Sequence, residues 1–308
     1  MPAVDKNIIK LFIATFFSLL IFISPLQVYA AAPEILVTLK PLHSLVTALT
    51  LNITEPELLF DNLQSPHDYA MKPSDRRRIS RADIIIYASP EIESFMPALQ
   101  SSLSHKKIIS LTNITGINLL KARAFDFHDS KKNRHHTDGH IWLSIDNAIV
   151  ISRYLSEEFI KQDKGNAEKY RSNNSHLIAK LKQLKKELQQ QMQPVSRQPF
   201  LIFHDAFQYF ENDFKLTAGL FVTTSPEHKV GIRHIRDLKK KIQQQNIRCV
   251  FYEPPNIPEI IQTITENQQV QLIPLEPLGI KYQADHKQYF KLLTGISNKL
   301  YHCLKQGL

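Results

Sequence analysis

The sequence predicts an α/β protein built from two similar lobes with mainly parallel sheets, joined by a long rigid helix. Three observations carry this. Short apolar runs alternate with helical patterns in both the first and the last third of the mature chain, which is the mark of βα units around a parallel sheet. Between them the strand signal vanishes, and Leu177, Leu181, Leu184, Leu188 and Met192 recur every three or four residues as one apolar stripe. The length of 308 residues is about twice the ~150 residues common for one domain.

In chain order, Ile35 to Leu39, Glu57 to Phe60, Ile84 to Ala88 and Ile108 to Leu111 read as strands. Leu42 to Leu51, Ser74 to Ala82 and Glu91 to Leu103 read as the helices between them. The striped segment predicts a helix from Asn166 to Gln193 that stops before Pro194. At ~1.5 Å per residue it is about 42 Å long, a whole domain's width. The alternation then resumes with strands at Phe200 to Phe203, Gly219 to Thr223, Cys249 to Tyr252 and Val270 to Leu275. Helices are expected at Ala206 to Phe214, Val230 to Asn246, Ile257 to Asn267 and His286 to Leu304.

The first thirty residues stand apart from the fold. Lys6 and Lys10 precede the apolar run Leu11 to Ile23, and Pro25 and the small-residue pattern Val28-Tyr29-Ala30 follow it. This is the order of a secretory signal peptide, and the run is shorter than the ~20 residues of a membrane span. An uncleaved anchor is the rival reading. The expected division is therefore a signal peptide at 1–30, a first lobe at 31–152 with a polar loop at 125–140, a connecting helix at 153–193 and a second lobe at 194–308. The mature protein is expected outside the cytoplasm, as a monomer.

Composition excludes several functions. The eight glycines are dispersed and scarce against a usual share of roughly 7 %. Dinucleotide fingerprints, Walker-type phosphate loops and nucleophile elbows all need clustered glycine, so none of these chemistries is expected. The net charge of +9 is spread over many segments, and an exported protein seldom meets nucleic acid, so no nucleic-acid partner is expected. Export also bears on the two cysteines. An oxidising compartment allows Cys249 and Cys303 to pair in a disulfide; metal binding is the alternative, although neither has Cys-x-x-Cys spacing.

The informative histidines lie at strand ends and loops. His204 follows the apolar run FLIF, in the position where open α/β sheets bind ligands. His67 lies in the turn-prone Ser65-Pro66-His67-Asp68-Tyr69. His140 ends a polar stretch, Phe125 to His140, that also contains His128, His135 and His136. Any one of these has a packed or surface role as its plainer explanation. Together, two in the first lobe and one in the second, they suit a cation held between lobes, and nitrogen donors favour Zn, Cu, Ni or Fe over Mg or Ca. Glu276, and alternatively Glu253, follow strand ends and are candidates for a fourth ligand, as is water. Asp68 and Asp205 read either as acceptors that orient the neighbouring histidines or as helix N-caps.

The phrases SPHDYAMKPSDRRRISRADIIIYASPEIESFM, GHIWLS, FLIFHDAFQYFENDFKLT, CVFYEPPNIPEII and LEPLG follow one another in this order. In this combination the chain resembles the periplasmic zinc-binding proteins that feed ABC zinc importers, over nearly the whole span from Ile35 to Cys303. The resemblance implies metal held in the cleft between two α/β lobes. It implies Zn²⁺ ligation by His67, His140 and His204, an acidic ligand or water near Glu276, and a disulfide matching Cys249 with Cys303. It further implies that the loop histidines His128, His135 and His136 form an accessory collector, although the loop here is short for such a role. A membrane permease with its own ATPase is the implied partner, and no catalytic activity is expected. The competing readings are a manganese or iron carrier or an adhesin on the same fold, and a secreted zinc hydrolase. The hydrolase lacks a His-Glu-x-x-His helix and a general base placed by a motif.

Overall fold

The computed structural model describes residues 32–60, 65–124, 137–227 and 230–307. The expected signal peptide at 1–30 and the loop residues His128, His135 and His136 lie outside the described residues. Each lobe carries a four-stranded sheet in which every pairing is parallel. The first contains β1 (Ile35–Val37), β2 (Glu57–Leu58), β3 (Ile84–Tyr87) and β4 (Lys107–Ser110) in the order β2-β1-β3-β4. The second contains β5 (Leu201–His204), β6 (Leu220–Thr223), β7 (Cys249–Tyr252) and β8 (Gln271–Pro274) in the order β6-β5-β7-β8. The two orders are the same, so the lobes are topological copies.

β1 and β3 are buried along their whole length. Strands covered on both faces need no polar side, and this is why ILV and IIIY read as unbroken apolar runs. The crossovers of the first lobe are α1 (Lys40–Leu49), α2 (Pro73–Arg81) and α3 (Met96–Ser102). Those of the second are α6 (Gln208–Asp213), α7 (Ile232–Gln244) and α8 (Glu259–Thr265). Between the lobes run α4 (Ile145–Gln162) and α5 (Ala167–Met192), and α9 (Gln288–Leu304) closes the fold.

The apolar stripe is the buried face of α5: Leu177, Leu181, Leu184, Leu188 and Met192 are all buried. α4 starts at a Ser144 cap, whose side chain accepts from the Asn147 N–H. α5 packs along α4 and also against α1 and α9, while α9 packs on α1. The lobes consequently share one continuous core that runs from β1 through α5 to α9, and a smaller cluster fills the outer half of the second lobe. Asp213 of the second lobe adds a polar tie, accepting from Ser144 Oγ at 3.0 Å and from the Ile145 N–H at 2.7 Å at the start of α4.

Cys249 at the start of β7 and Cys303 in α9 form a disulfide across 54 residues. Metal binding by this pair is thereby ruled out. On the chain-entropy account a loop of that size stabilises the fold by roughly 4 kcal/mol.

The predicted helix Glu91 to Leu103 begins only at Met96. The preceding residues turn so that Glu93, fully buried, accepts from the Ala88 and Ser89 N–H groups at 3.1 Å each and from Thr38 Oγ1. It thereby satisfies backbone donors at the carboxyl end of β3 and ties them to the end of β1. Burial lifts the Glu93 carboxyl from 4.5 to about 7, against the downward pull of these donors. A pKa raised on folding means that the neutral form is favoured in the fold. The contribution is full below about pH 4.5 and is lost as pH rises through about 7. Urea midpoints are therefore expected to fall between pH 5 and pH 8 in the wild type and to fall less in Glu93→Gln, whereas Glu93→Ala loses on the order of 3 kcal/mol at both.

Candidate metal centre

The three histidines singled out in the sequence arrive from three different places and meet. His67 sits in a short 3₁₀ turn, Pro66–Asp68, capped by Ser65 Oγ, which accepts from the His67 N–H at 3.3 Å. The cap of this turn is Ser65 and not Asp68. The following chain is anchored by Asp75, which accepts from Tyr69 Oη and, at 2.9 Å, from the Lys72 N–H, and by Tyr69 packed on Phe60.

His140 is placed by close approach. A Cβ on the preceding Gly139 would lie 2.6 Å from Ile92 Cγ1 and would also collide with Ser89 Oγ, so only glycine lets this segment lie against the loop after β3. Asp138 then holds the ring, with Oδ1 accepting from the His140 backbone N–H at 3.0 Å and from Nδ1 at 2.8 Å. Trp142, next to the site, donates Nε1–H to the Pro277 carbonyl at 2.9 Å and so joins this loop to the second lobe.

His204 is the last residue of β5 and is 2 % exposed. Because β7 lies beside β5, the residue following β7 falls next to it, and Glu253 Oε1 accepts from His204 Nδ1 at 2.9 Å. The other ring nitrogen, Nε2, is buried without a hydrogen-bond partner. Burial disfavours the imidazolium, but the carboxylates of Glu253, Asp205 and Asp138 outweigh it and hold the His204 pKa above the ordinary histidine value.

One ligand nitrogen from each of His67, His140 and His204 lies within 4.8 Å of the others, the one such group of His, Cys, Asp and Glu among the described residues. A zinc ion about 2.1 Å from each nitrogen needs them about 3.4 Å apart in a tetrahedral arrangement, a separation inside the 4.8 Å limit that encloses the three. The Nδ1 atoms of His140 and His204 are bonded to carboxylates, which favours the tautomer with the proton on Nδ1 and the lone pair on Nε2. Asp138 is a residue the sequence reading missed. Its spacing two before His140 is the signal that could have revealed it.

The triad lies on the wall of a cavity of about 730 Å³ that also touches Trp142, Phe203, Glu276 and Lys299. Glu276 is on that wall, but its carboxylate is engaged. It accepts from the Leu278, Gly279 and Ile280 N–H groups at 2.8, 2.8 and 3.0 Å, and burial raises its pKa despite them. A second cavity of about 510 Å³ touches His67 and His140 and is lined by Glu91, Arg123, Asp138 and Asp205.

Asp205 takes neither of the roles expected of it. Its carboxylate accepts from Arg123 Nε at 3.0 Å and from Nη2, and the same guanidinium donates through Nη1 to Glu211 at 2.9 Å. Arg123 belongs to the first lobe and lies 5.2 Å over the ring of Phe221 in the second. It is the counter-charge for two carboxylates of the second lobe, and no sequence signal pointed to it. Burial lifts the Glu211 carboxyl to about 7 even so, with Arg123 pulling the other way.

Two copies of a parallel four-stranded lobe, sharing a core and converging on three imidazoles, define a two-lobed α/β protein of the metal-binding, solute-binding class. The particular family follows from sequence: the chain belongs to the family described as zinc-uptake complex component A, periplasmic (ZnuA), which matches residues 35–303. It is 29 % identical over 306 residues to the high-affinity zinc uptake system protein ZnuA of Brucella suis biovar 1, covering 88 % of this chain and 92 % of that one. The Yersinia pestis protein of the same name is 27 % identical over 306 residues, covering 94 % and 96 %. Among solved structures, AdcAII of Streptococcus pneumoniae superposes with a TM-score of 0.75 at 20 % identity, covering 89 % of this chain and 99 % of that chain, a likeness of fold.

Replacing Arg123 by Met leaves Asp205 and Glu211 as uncompensated, largely buried carboxylates. The expected cost is about 3 kcal/mol, read as a lower urea midpoint at pH 7.5, with Glu211→Gln in the same background recovering part of the loss.

Proposed function

We propose that this protein is a periplasmic zinc carrier that binds Zn²⁺ on His67, His140 and His204 and delivers it to the membrane permease of an ABC importer, whose ATPase drives uptake. The observation that carries the reading is the buried, unpartnered Nε2 of His204 facing two further imidazoles. Leaving such an atom without a partner costs on the order of 1–3 kcal/mol, a cost that a bound cation removes. Three neutral nitrogens suit zinc better than manganese, which favours oxygen donors. Family membership and the zinc uptake systems of which the relatives are named parts point the same way.

Water takes the fourth coordination position in this reading. Glu276 already accepts three backbone N–H bonds, and Glu253 is committed to His204 Nδ1. Residues 1–30 act as a cleaved export signal, and the mature chain divides into lobes at 31–152 and 194–308 with a connector at 153–193. His128, His135 and His136 form an accessory collector that the main site does not require.

Calorimetry with a competing chelator tests the assignment. His67→Ala, His140→Ala and His204→Ala are each expected to weaken zinc binding at least ~100-fold, and Glu253→Gln or Asp138→Asn by roughly 10- to 100-fold through loss of ring orientation. Glu276→Gln is expected to change it less than about threefold. A triple alanine replacement of His128, His135 and His136 that weakens binding as much as His204→Ala would overturn the ligand set.

A further inference from the structure

The cavity beside the three histidines, about 730 Å³, is far larger than a metal ion requires. Water, the fourth ligand in the carrier reading, occupies about 30 Å³ of liquid, so an ion with one water leaves most of the space unused. The volume falls within the roughly 300–1,000 Å³ of small-molecule sites, which are mainly apolar with a few placed polar groups. This cavity has such a lining, with Trp142, Phe203, Pro254, Leu278 and Ile280 on its wall. Both carboxylates on the wall are committed, Glu253 to His204 Nδ1 and Glu276 to three backbone N–H groups.

Two lysines share that wall. Lys281, in the loop after Glu276, and Lys299, on α9, both line the cavity, and neither forms an ion pair among the described residues. Lys299 Nζ donates to the Pro274 carbonyl, and Lys281 Nζ lies 4.9 Å from the centre of the Tyr282 ring. Burial lowers the Lys299 pKa and the Lys281 charge lowers it further, against the pull of Glu276, so the two cations are close enough to repel. The helix dipole does not account for Lys299, which lies outside the last turn of α9. With Zn²⁺ on the histidines the cavity is positive: the ion and the two lysines outweigh Glu253 and Glu276, and Asp138 behind His140 does not reverse the sign.

We infer that this cavity holds zinc together with a small organic dicarboxylate. One carboxylate oxygen donates a lone pair to the metal in place of the departing water, the hydrocarbon body lies against Trp142 and Phe203, and the second carboxylate meets Lys281 and Lys299. The inference rests on the carrier reading for the zinc site. Because the metal supplies part of the attraction, the anion binds the zinc-loaded protein better than the zinc-free one, and by linkage it tightens zinc by the same factor.

Calorimetry of the exported protein with glutarate and phthalate, and with benzamide as the uncharged control, tests this. At least one of the two dicarboxylates is expected to bind the zinc-loaded protein tenfold or more tightly than the zinc-free protein. Lys281→Gln combined with Lys299→Gln is expected to weaken that binding at least ~10-fold, with zinc affinity in carboxylate-free buffer held within about threefold. The same replacement of the exposed Lys180 and Lys182 on α5 is expected to change neither by more than about twofold. Cobalt(II) in the metal site is expected to change its visible absorption as the anion enters its coordination shell. Absence of binding by both dicarboxylates, equal binding to the zinc-free protein, benzamide binding as tightly as phthalate, or an unchanged cobalt spectrum overturns the inference. So does a cavity-lysine variant whose zinc affinity in carboxylate-free buffer rises tenfold, because the two cations would then serve zinc release. Zinc titration keeps the two readings apart. Zinc binding that is weakened by His204→Ala, without any carboxylate binding, sinks this inference alone, whereas zinc binding untouched by His204→Ala sinks the carrier reading and this one with it.

Discussion

An imidazole withdrawn from water has two ring nitrogens to satisfy, and this fold supplies His204 with a protein partner for only one. The rest of the centre is arranged around that constraint. β7 lies beside β5 in the sheet, so Glu253 reaches Nδ1. Gly139 allows the His140 segment to press against the loop after β3, and Asp138 turns that ring in the same sense. One ring nitrogen of each of His67, His140 and His204 lies within 4.8 Å of the others.

Acidic groups near this volume are sorted into two sets. Glu253 and Asp138 are spent on the histidines and make them better donors. Asp205 and Glu211, which would otherwise add further negative charge, are neutralised by Arg123 from the opposite lobe. One guanidinium thus limits the charge at the site and ties the lobes together. With the shared core along α5 and α9 and the Asp213 cap on α4, it makes the relation between lobes a matter of packing and hydrogen bonds more than of a single rod.

Most of the fold was legible in the sequence. Eight predicted strands and the long helix stand where apolar runs and the leucine stripe placed them, because burial on both faces of a parallel sheet and on one face of a helix leaves a periodic record. The helices depart in two places: α4 (Ile145–Gln162) is a separate helix ahead of the striped one, and the helix predicted from Glu91 begins only at Met96. Its first turn gives way to a turn in which Glu93 accepts from the Ala88 and Ser89 N–H groups just after β3 and from Thr38 Oγ1 beyond the end of β1, a partner 55 residues away in the chain. The three histidines were recognisable from their places at strand ends and from their motifs. Asp138 shows itself only through its spacing two before His140, and Arg123 not at all, since an arginine beside a polar loop looks like an ordinary surface residue.

The sequence by itself determined the two lobes, the long helix and the pairing-competent cysteines, and it singled out three histidines that the fold brings together, all from local periodicity or short motifs. Only the tertiary structure decided what each acidic residue does. It gave Glu253 to His204, 49 residues away, and paired Asp205 with Arg123, 82 residues away. The reason is physical: a carboxylate's role depends on which donor lies within hydrogen-bond distance, and strand order, crossover and lobe packing set that distance across gaps of dozens of residues.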